Sequence, residues 1–159
     1  MVYHLGLFAV NKMKDNRLSL EEFKYIYSKV PRLCVEVVIK TDEGILLTYR
    51  SIAPYKNLWH IPGGTVLYKE TMEDAVKRVA LEELGVEVEV VNLIGVNEYP
   101  SEEKDRGYGW PVGVNYLCRI IKGVPRGSEQ ASLVKFFKDL PPDMVEEQKV
   151  FLRKYNLVV

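Results

Sequence analysis

The clearest pattern of apolar and polar positions in the chain lies between Thr71 and Gly85. A threonine followed three residues later by an acidic residue is a common helix start, and glycine is a common residue just after a helix end. Between these two positions the apolar residues follow the i, i+3, i+4, i+7 spacing of one helix face. They are Met72, Ala75, Val76, Val79 and Ala80. The segment is therefore predicted to be a helix with one apolar stripe against a core.

Runs rich in valine and isoleucine on either side of this segment predict strands. The predicted strands span residues 33–40, 45–49, 86–99, 112–121 and 133–137. Ser19 followed by Glu22 is a capping box that predicts a short helix, and Asp143, after two prolines, is predicted to open the last helix. Residues 101–109 are predicted to be a polar loop. The order of the elements predicts an α/β fold with a mixed sheet packed between helices.

Two acidic residues, Glu82 and Glu83, occupy the last turn of the predicted central helix. At about 100° per residue, Glu83 falls back onto the apolar stripe. Negative charge near a helix C-terminus costs about 0.3–1 kcal/mol per residue, and a cation bound between this turn and the preceding glycine pair would reverse that preference. The alternative is an ordinary i, i+4 ion pair between Arg78 and Glu82, with Glu83 partly exposed.

The segment from Gly64 to Val86 is similar to the Nudix box, G-x5-E-x7-R-E-U-x-E-E-x-G-U, in which U is a bulky aliphatic residue. The matching residues are Gly64, Glu70, Arg78, Ala80, Glu82, Glu83, Gly85 and Val86. Val79 departs from the pattern, because the family has its first helix glutamate there. The resemblance implies an α/β/α sandwich that hydrolyses a nucleotide-type small molecule, a nucleoside diphosphate linked to a further group. It also implies Mg²⁺ as cofactor, with Mn²⁺ as the alternative.

The residues at the glycine pair and at the helix end are suited to bind such a metal ion. Mg²⁺ takes one or two carboxylates and keeps several waters. Glu82 and Glu83 can supply carboxylates, and the carbonyl of Gly63 can supply another oxygen. Arg78 is assigned to the catalytic set with both glutamates. Because Val79 replaces a third carboxylate, we expect one ion.

Within the family, the chain most resembles the GDP-mannose mannosyl hydrolase branch, which also lacks the first box glutamate. Enzymes of that branch attack the sugar carbon and are often homodimers. By position, Arg50 matches the branch's diphosphate-contacting arginine, Glu36 an active-site acid, and Gln130 a metal-site glutamine. Two residues differ. Thr65 replaces an arginine that assists the leaving diphosphate, and Ala131 replaces the histidine general base.

Two residues are candidates for the general base that position 131 lacks. Glu129 lies in the same late loop, and His60 alternates with its apolar neighbours and so can face a cleft. For His60, a local hydrogen bond within a strand is the simpler interpretation. Arg50 as a surface arginine and Glu36 as a solvent-facing strand residue are likewise simpler alternatives to their assigned roles.

Aromatic residues beside the predicted polar loop are candidates for binding a nucleotide base. Tyr108 and Trp110 are assigned to substrate binding for this reason. The alternative is ordinary packing, which is the more common role of aromatic residues at strand ends.

Composition limits the classes of partner. The 22 Lys and Arg residues balance the 22 Asp and Glu residues, so no nucleic-acid partner is expected. No apolar run reaches the roughly 18–20 residues of a membrane helix, so we expect no membrane partner and a cytoplasmic protein.

Cys34 and Cys118 have no His or Cys at metal-ligand spacing and are expected to be buried thiols. One domain is predicted over residues 19–159, after an N-terminal arm at 1–18.

Three functions remain open at the level of sequence. The first is an Mg²⁺-dependent hydrolase of a nucleoside-diphosphate-linked compound such as a nucleotide sugar. The second is a glycosyl hydrolase that attacks the sugar carbon of GDP-mannose or GDP-glucose. The third is a nucleotide-binding or regulatory module on the same scaffold, which the altered box and the absent histidine would favour.

Overall fold

A computed structural model of the protein describes residues 17–158. Most of the predicted arm at 1–18 lies outside the described residues. The helices are α1 (Leu20–Tyr27), α2 (Met72–Leu84), α3 (Glu102–Arg106) and α4 (Glu146–Lys154). The strands are β1 (Arg32–Thr41), β2 (Gly44–Arg50), β3 (Trp59–His60), β4 (Gly63–Thr65), β5 (Glu87–Glu98), β6 (Pro111–Lys122) and β7 (Ala131–Phe137).

The strands form one mixed sheet with the order β3-β2-β1-β6-β5, in which β4 also pairs with β1 and β7 with β2. β1 and β6 run parallel over eight residue pairs, whereas the other pairings are antiparallel. The pairing of β4 with β1 sets Gly63 opposite Glu36. The glycine pair is thereby fixed beside the central strand.

Each face of the sheet is covered by one helix. On one face, Val35, Val37 and Ile39 of β1 form a core with the apolar stripe of α2. On the other face, Val38 packs in a second core with residues of β2 and α4. This arrangement is the predicted α/β/α sandwich with a mixed sheet.

The helix starts follow the predicted capping in two cases and differ in two. Ser19 and Glu22 form the full capping box of α1, and the Thr71 hydroxyl accepts the Asp74 N–H at the start of α2. By contrast, the loop predicted at 101–109 contains α3, and α4 begins after Val145 rather than at Asp143. The five-residue α3 has no apolar period that a sequence pattern could detect.

Two further expectations from the sequence concern the burial of the cysteines and whether any helix could span a membrane. Cys34 and Cys118 are both buried free thiols, as predicted. Burial raises the pKa of Cys34 to about 11 and that of Cys118 to about 12, so both remain protonated. Within residues 17–158, every helix is too short or too polar to cross a bilayer.

Candidate active site

A cavity of about 860 Å³ opens beside the glycine pair, between α1, α2 and the central strands. It collects most of the residues that the sequence singled out. These are Glu36, Arg50, His60, Gly63, Arg78, Glu82, Glu83 and Gln130. Glu129, Tyr108 and Trp110 do not line it.

Arg78 connects helix α2 to the loop that precedes it. Its Nε and Nη2 donate to the two carboxylate oxygens of Glu70 at 2.6 and 2.9 Å, and Nη2 also donates to the Thr65 carbonyl at 2.9 Å. Hydrogen bonding to Arg78 holds the pKa of the Glu70 carboxyl below its usual value. The bidentate geometry fixes the loop relative to the helix, so Arg78 positions the site through Glu70.

We expect Arg78→Leu to lower the free energy of unfolding by about 2 kcal/mol. This is less than the ~3–5 kcal/mol of a fully buried pair because water reaches part of the arginine side chain. Urea denaturation measures the change. The matched control is Lys77→Leu, which removes an exposed i, i+4 pair with Glu73 and should cost well under about 1 kcal/mol. Equal losses in the two variants would show that the Glu70 bridge adds no stability.

The two glutamates at the end of α2 have different environments. Glu82 is 41% exposed and accepts hydrogen bonds from Arg78 and Arg17. Glu83 is half-buried and accepts a hydrogen bond from the Ser128 hydroxyl at 3.3 Å. Burial raises the pKa of Glu83, while Ser128 and the nearby positive charge of Arg50 oppose that rise. Glu83 therefore lies on the core side of the helix end, as its place on the apolar stripe predicts, whereas Glu82 lies at the surface.

Close packing around the glycine pair leaves no room for larger residues. A Cβ atom at Gly63 would lie 2.9 Å from the Val35 carbonyl, and one at Gly64 would lie 2.9 Å from a methyl group of Val79. Val79 is itself only 2% exposed and belongs to the core under α2. Val79, which stands where the family has its first helix glutamate, therefore contributes to the packing of the core.

The residues around this loop suit a hard cation that keeps most of its water ligands, and not an ion that is coordinated entirely by protein groups. Glu82, Glu83 and Gln130 border the same cavity as Gly63 and offer oxygen donors. Residues 17–158 contain no group of three His, Cys, Asp or Glu side chains arranged to hold a metal ion. A single Mg²⁺ that keeps most of its waters suits this donor set, because Mg²⁺ needs only one or two carboxylates.

Glu36 is buried on the floor of the cavity in a polar network. Its carboxyl oxygen accepts a hydrogen bond of 2.8 Å from the Gln148 side-chain amide, which also donates to the Tyr99 hydroxyl at 3.3 Å. The Gln148 side-chain oxygen accepts the Ile61 N–H at 2.8 Å. Burial raises the pKa of Glu36 to about 8, despite the hydrogen bonds from Tyr99 and Gln148, so this group is mostly protonated at neutral pH. Glu36 is therefore not the solvent-facing residue of the simpler interpretation.

Gln148 was not predicted as a site residue, although the sequence carries a signal for it. Gln148 lies one helical turn from Val145 and from Phe151, both of which are buried. A polar residue inside an apolar stripe is the same signal that singled out Glu83 in α2. Applied to the last helix, it would have identified Gln148 as the partner of a buried polar group.

His60 is held in a local hydrogen-bond network. Its Nδ1 lies 2.8 Å from the Ile61 carbonyl, which can only accept, so Nδ1 carries the proton and Nε2 accepts from the Thr48 hydroxyl at 3.0 Å. Burial, together with the charge of Arg50, lowers the pKa of His60 to about 3. Both ring nitrogens are engaged and the ring is weakly basic. The prediction of His60 as general base is therefore corrected to a local structural role.

Arg50 at the end of β2 is half-buried and borders the cavity. Its Nε donates to the Ile52 carbonyl at 3.3 Å, and none of residues 17–158 forms an ion pair with its guanidinium. Burial lowers the pKa of Arg50, while the charge of Glu83 opposes that change. A partly desolvated guanidinium without a carboxylate partner is suited to bind an anion.

The aromatic residues assigned to base binding lie elsewhere. Tyr108 packs edge-on against Phe23 and lies under the guanidinium of Arg106. Trp110 borders a separate, shallow depression at the C-terminal end of α1. Glu129 is exposed and outside the cavity wall, next to Gln130. The structure thus does not bring these three predicted residues to the cavity.

Comparisons with known proteins agree with the geometry. A sequence profile of the NUDIX domain matches residues 30–151, from just before β1 into α4. The ADP-ribose pyrophosphatase of Methanocaldococcus jannaschii is 30% identical over 152 residues, which are 94% of this chain and 88% of that protein. The low-salt glycan biosynthesis protein Agl8 of Haloferax volcanii is 39% identical over 89 residues, or 56% of this chain. That match covers 57% of Agl8, so the chain matches little more than half the length of that relative.

A solved structure supports the same relationship. The MutT NUDIX hydrolase from Burkholderia pseudomallei superposes with a TM-score of 0.71 at 29% sequence identity. The superposition covers 82% of this chain and 99% of that chain. The sheet and its covering helices thus belong to an architecture that recurs in a solved structure.

Proposed function

The chain belongs to the Nudix family, and on that premise we propose that it is a metal-dependent hydrolase of a nucleoside-diphosphate-linked compound, specifically a nucleotide sugar. The observation that carries the proposal is the position of Arg50. Its guanidinium lies in the same cavity as Glu83 and the glycine pair, without an ion pair among the described residues. A diphosphate group supplies the charge and the paired oxygens that such a guanidinium recognises.

The relatives support this substrate class. One of them is named an ADP-ribose pyrophosphatase, and ADP-ribose is a nucleoside diphosphate linked to a sugar. Another is named a glycan biosynthesis protein, which connects that relative with sugar metabolism. Together they favour a substrate in which a diphosphate joins a nucleoside to a sugar.

Each group in the site has a proposed role. Gly63, Glu82, Glu83 and Gln130 would hold the Mg²⁺ ion. When bound, this ion neutralises phosphate charge and polarises the reacting bond. Arg50 binds the diphosphate, and Arg78 positions the glycine loop through Glu70. Glu129, in the loop that carries Gln130, lies outside the cavity wall and is assigned no role in the reaction.

Attack at phosphorus is favoured over attack at the sugar carbon. The branch that attacks carbon has a histidine base at the position of Ala131. Here Ala131 is fully buried at the start of β7, where it pairs with Arg50. Position 131 therefore offers no proton acceptor, and loss of a general base typically lowers the rate of such a reaction by about 10²–10⁴-fold.

The test is hydrolysis in ¹⁸O-labelled water. The protein is incubated with Mg²⁺ and with ADP-ribose, GDP-mannose, GDP-glucose and UDP-glucose, and the products are analysed by mass spectrometry. We expect ¹⁸O in the phosphate of one product. Label in the released sugar would instead establish attack at carbon. Binding of the nucleotides without turnover would show a binding module and would overturn the proposed hydrolase.

A further inference from the structure

The lining of the cavity includes charged side chains such as Arg50 and Glu83. Its apolar part includes side chains that are exposed to solvent, Leu33 at 44% and Tyr68 at 76%. Exposed apolar residues are ordinary when scattered, but a group of them around one cavity indicates a binding surface.

Helix α1 completes this apolar part. Ile26 and Tyr27 lie on its cavity side and are half-buried. We define the apolar wall as Ile26, Tyr27, Leu33 and Tyr68. These residues come from α1, from β1 and from the loop before α2, so only the folded chain brings them together.

The ring of Phe23 helps to hold helix α1 against the cavity. Among its residues none is fully buried. The ring of Phe23 lies 5.4 Å from the guanidinium of Arg32 and 5.3 Å from that of Arg106, measured to the ring centroid. Arg32 is fixed in turn by two hydrogen bonds to Glu102. Tyr27 packs edge-on against Phe23 with centroids 4.7 Å apart, so its ring position is set before any ligand arrives.

We propose that the apolar wall binds the nucleobase of a nucleoside diphosphate whose phosphates lie at Arg50. This inference rests on the proposed function for the class of ligand, and it adds the part of the cavity that recognises the nucleoside. Each nucleobase presents a flat π face that stacks on aromatic side chains, and such stacking depends little on which base is present. A sugar ring in the same place would set hydroxyl groups against the side chains of Ile26 and Leu33, which offer them no hydrogen-bonding group.

The experiment compares ligands that differ only in the nucleoside. Isothermal titration calorimetry with the full chain and Mg²⁺ measures the dissociation constants of ADP, GDP, UDP and methyl diphosphate. We expect Tyr27→Ala to weaken binding of the three nucleoside diphosphates about 10-fold and to leave binding of methyl diphosphate unchanged. The matched control is Tyr25→Ala, because Tyr25 lies on the same helix, is 64% exposed and does not line the cavity.

A second variant covers the case in which Tyr27→Ala does not fold. Tyr68→Ala alters a highly exposed side chain of the same wall and should show the same selective loss. Equal weakening of all four ligands, or no difference from Tyr25→Ala, would overturn the proposal, as would wild-type protein that binds methyl diphosphate as tightly as the nucleoside diphosphates. Because the comparison measures dissociation constants and not products, its result is separate from the ¹⁸O test. Failure of the hydrolase assignment would leave the binding comparison intact.

Discussion

Glu83→Gln is expected to lower kcat/KM for the metal-dependent reaction by about 10²–10⁴-fold, the range for loss of one positioned charged group. Glu83 is the half-buried carboxylate at the end of α2, and it borders the same cavity as the glycine pair. Glutamine keeps its volume and can still accept the hydrogen bond from Ser128, whereas it removes the negative charge that attracts a divalent cation. Steady-state kinetics over a range of Mg²⁺ concentrations measures the loss.

The control for this variant lies on the same helix. Glu73→Gln removes a carboxylate that is exposed and paired with Lys77, outside the cavity. It should keep the wild-type rate. Calorimetry with Mg²⁺ alone and with nucleotide adds a second measurement, in which Glu83→Gln should bind the ion more weakly. A Glu83→Gln variant with the wild-type rate would show that the metal ion lies elsewhere.

Glu36→Gln is expected to stabilise the protein increasingly as the pH rises from about 5 to about 8. In the folded protein, burial raises the pKa of Glu36 to about 8, from 4.5 for an exposed group. The unfolded chain therefore releases this proton at lower pH than the folded chain does. Between these two pKa values, each pH unit lowers the free energy of unfolding of the wild type by up to about 1.4 kcal/mol. Glutamine has no such proton, so the difference between the two proteins should reach a few kcal/mol at pH 8.

Urea denaturation at pH 5, 6.5 and 8 in the presence of a chelator measures this difference. His60 acts in the opposite direction, because its lowered pKa makes the folded protein less stable as the pH falls through the acid range. Subtracting the wild type from the variant removes that contribution. Glu98→Gln, at an exposed position of β5, is the control and should follow the wild-type pH dependence. A stability difference that does not change with pH would mean that Glu36 is ionised in the folded protein.

The sequence predicted those parts of the molecule that local pattern determines. Helix α2 was predicted from its apolar period, from Thr71 at its start and from Gly85 at its end, and the structure confirms all three. Five strands were predicted to within a few residues, because their apolar runs are bounded by turns. The short strands β3 and β4 were not predicted, since two or three residues are too few to show a strand period. Arg50, Gly63 and Gln130 were identified through the resemblance, and the structure brings them to one cavity.

The remaining features depend on tertiary contacts that no local pattern records. Tyr108 flanks the predicted loop as expected, but α3 forms there and turns the ring toward Phe23 and Arg106. Met72 follows the apolar period of α2, yet it lies at the helix start and is exposed. His60 has the alternation of a cleft residue, but its hydrogen bonds to Thr48 and Ile61 are visible only in three dimensions.

The contact between Gly64 and Val79 limits how this sequence could change. A glutamate at position 79 would place a charged side chain where the apolar core now contacts the backbone of the glycine loop. Any side chain at position 64 would collide with the valine methyl group. Because the family pattern keeps the glycine at position 64, a return to the fuller acidic pattern needs only Val79→Glu. That single change would replace an apolar side chain that is 2% exposed in the core under α2, so its cost falls on the packing of the helix against the sheet.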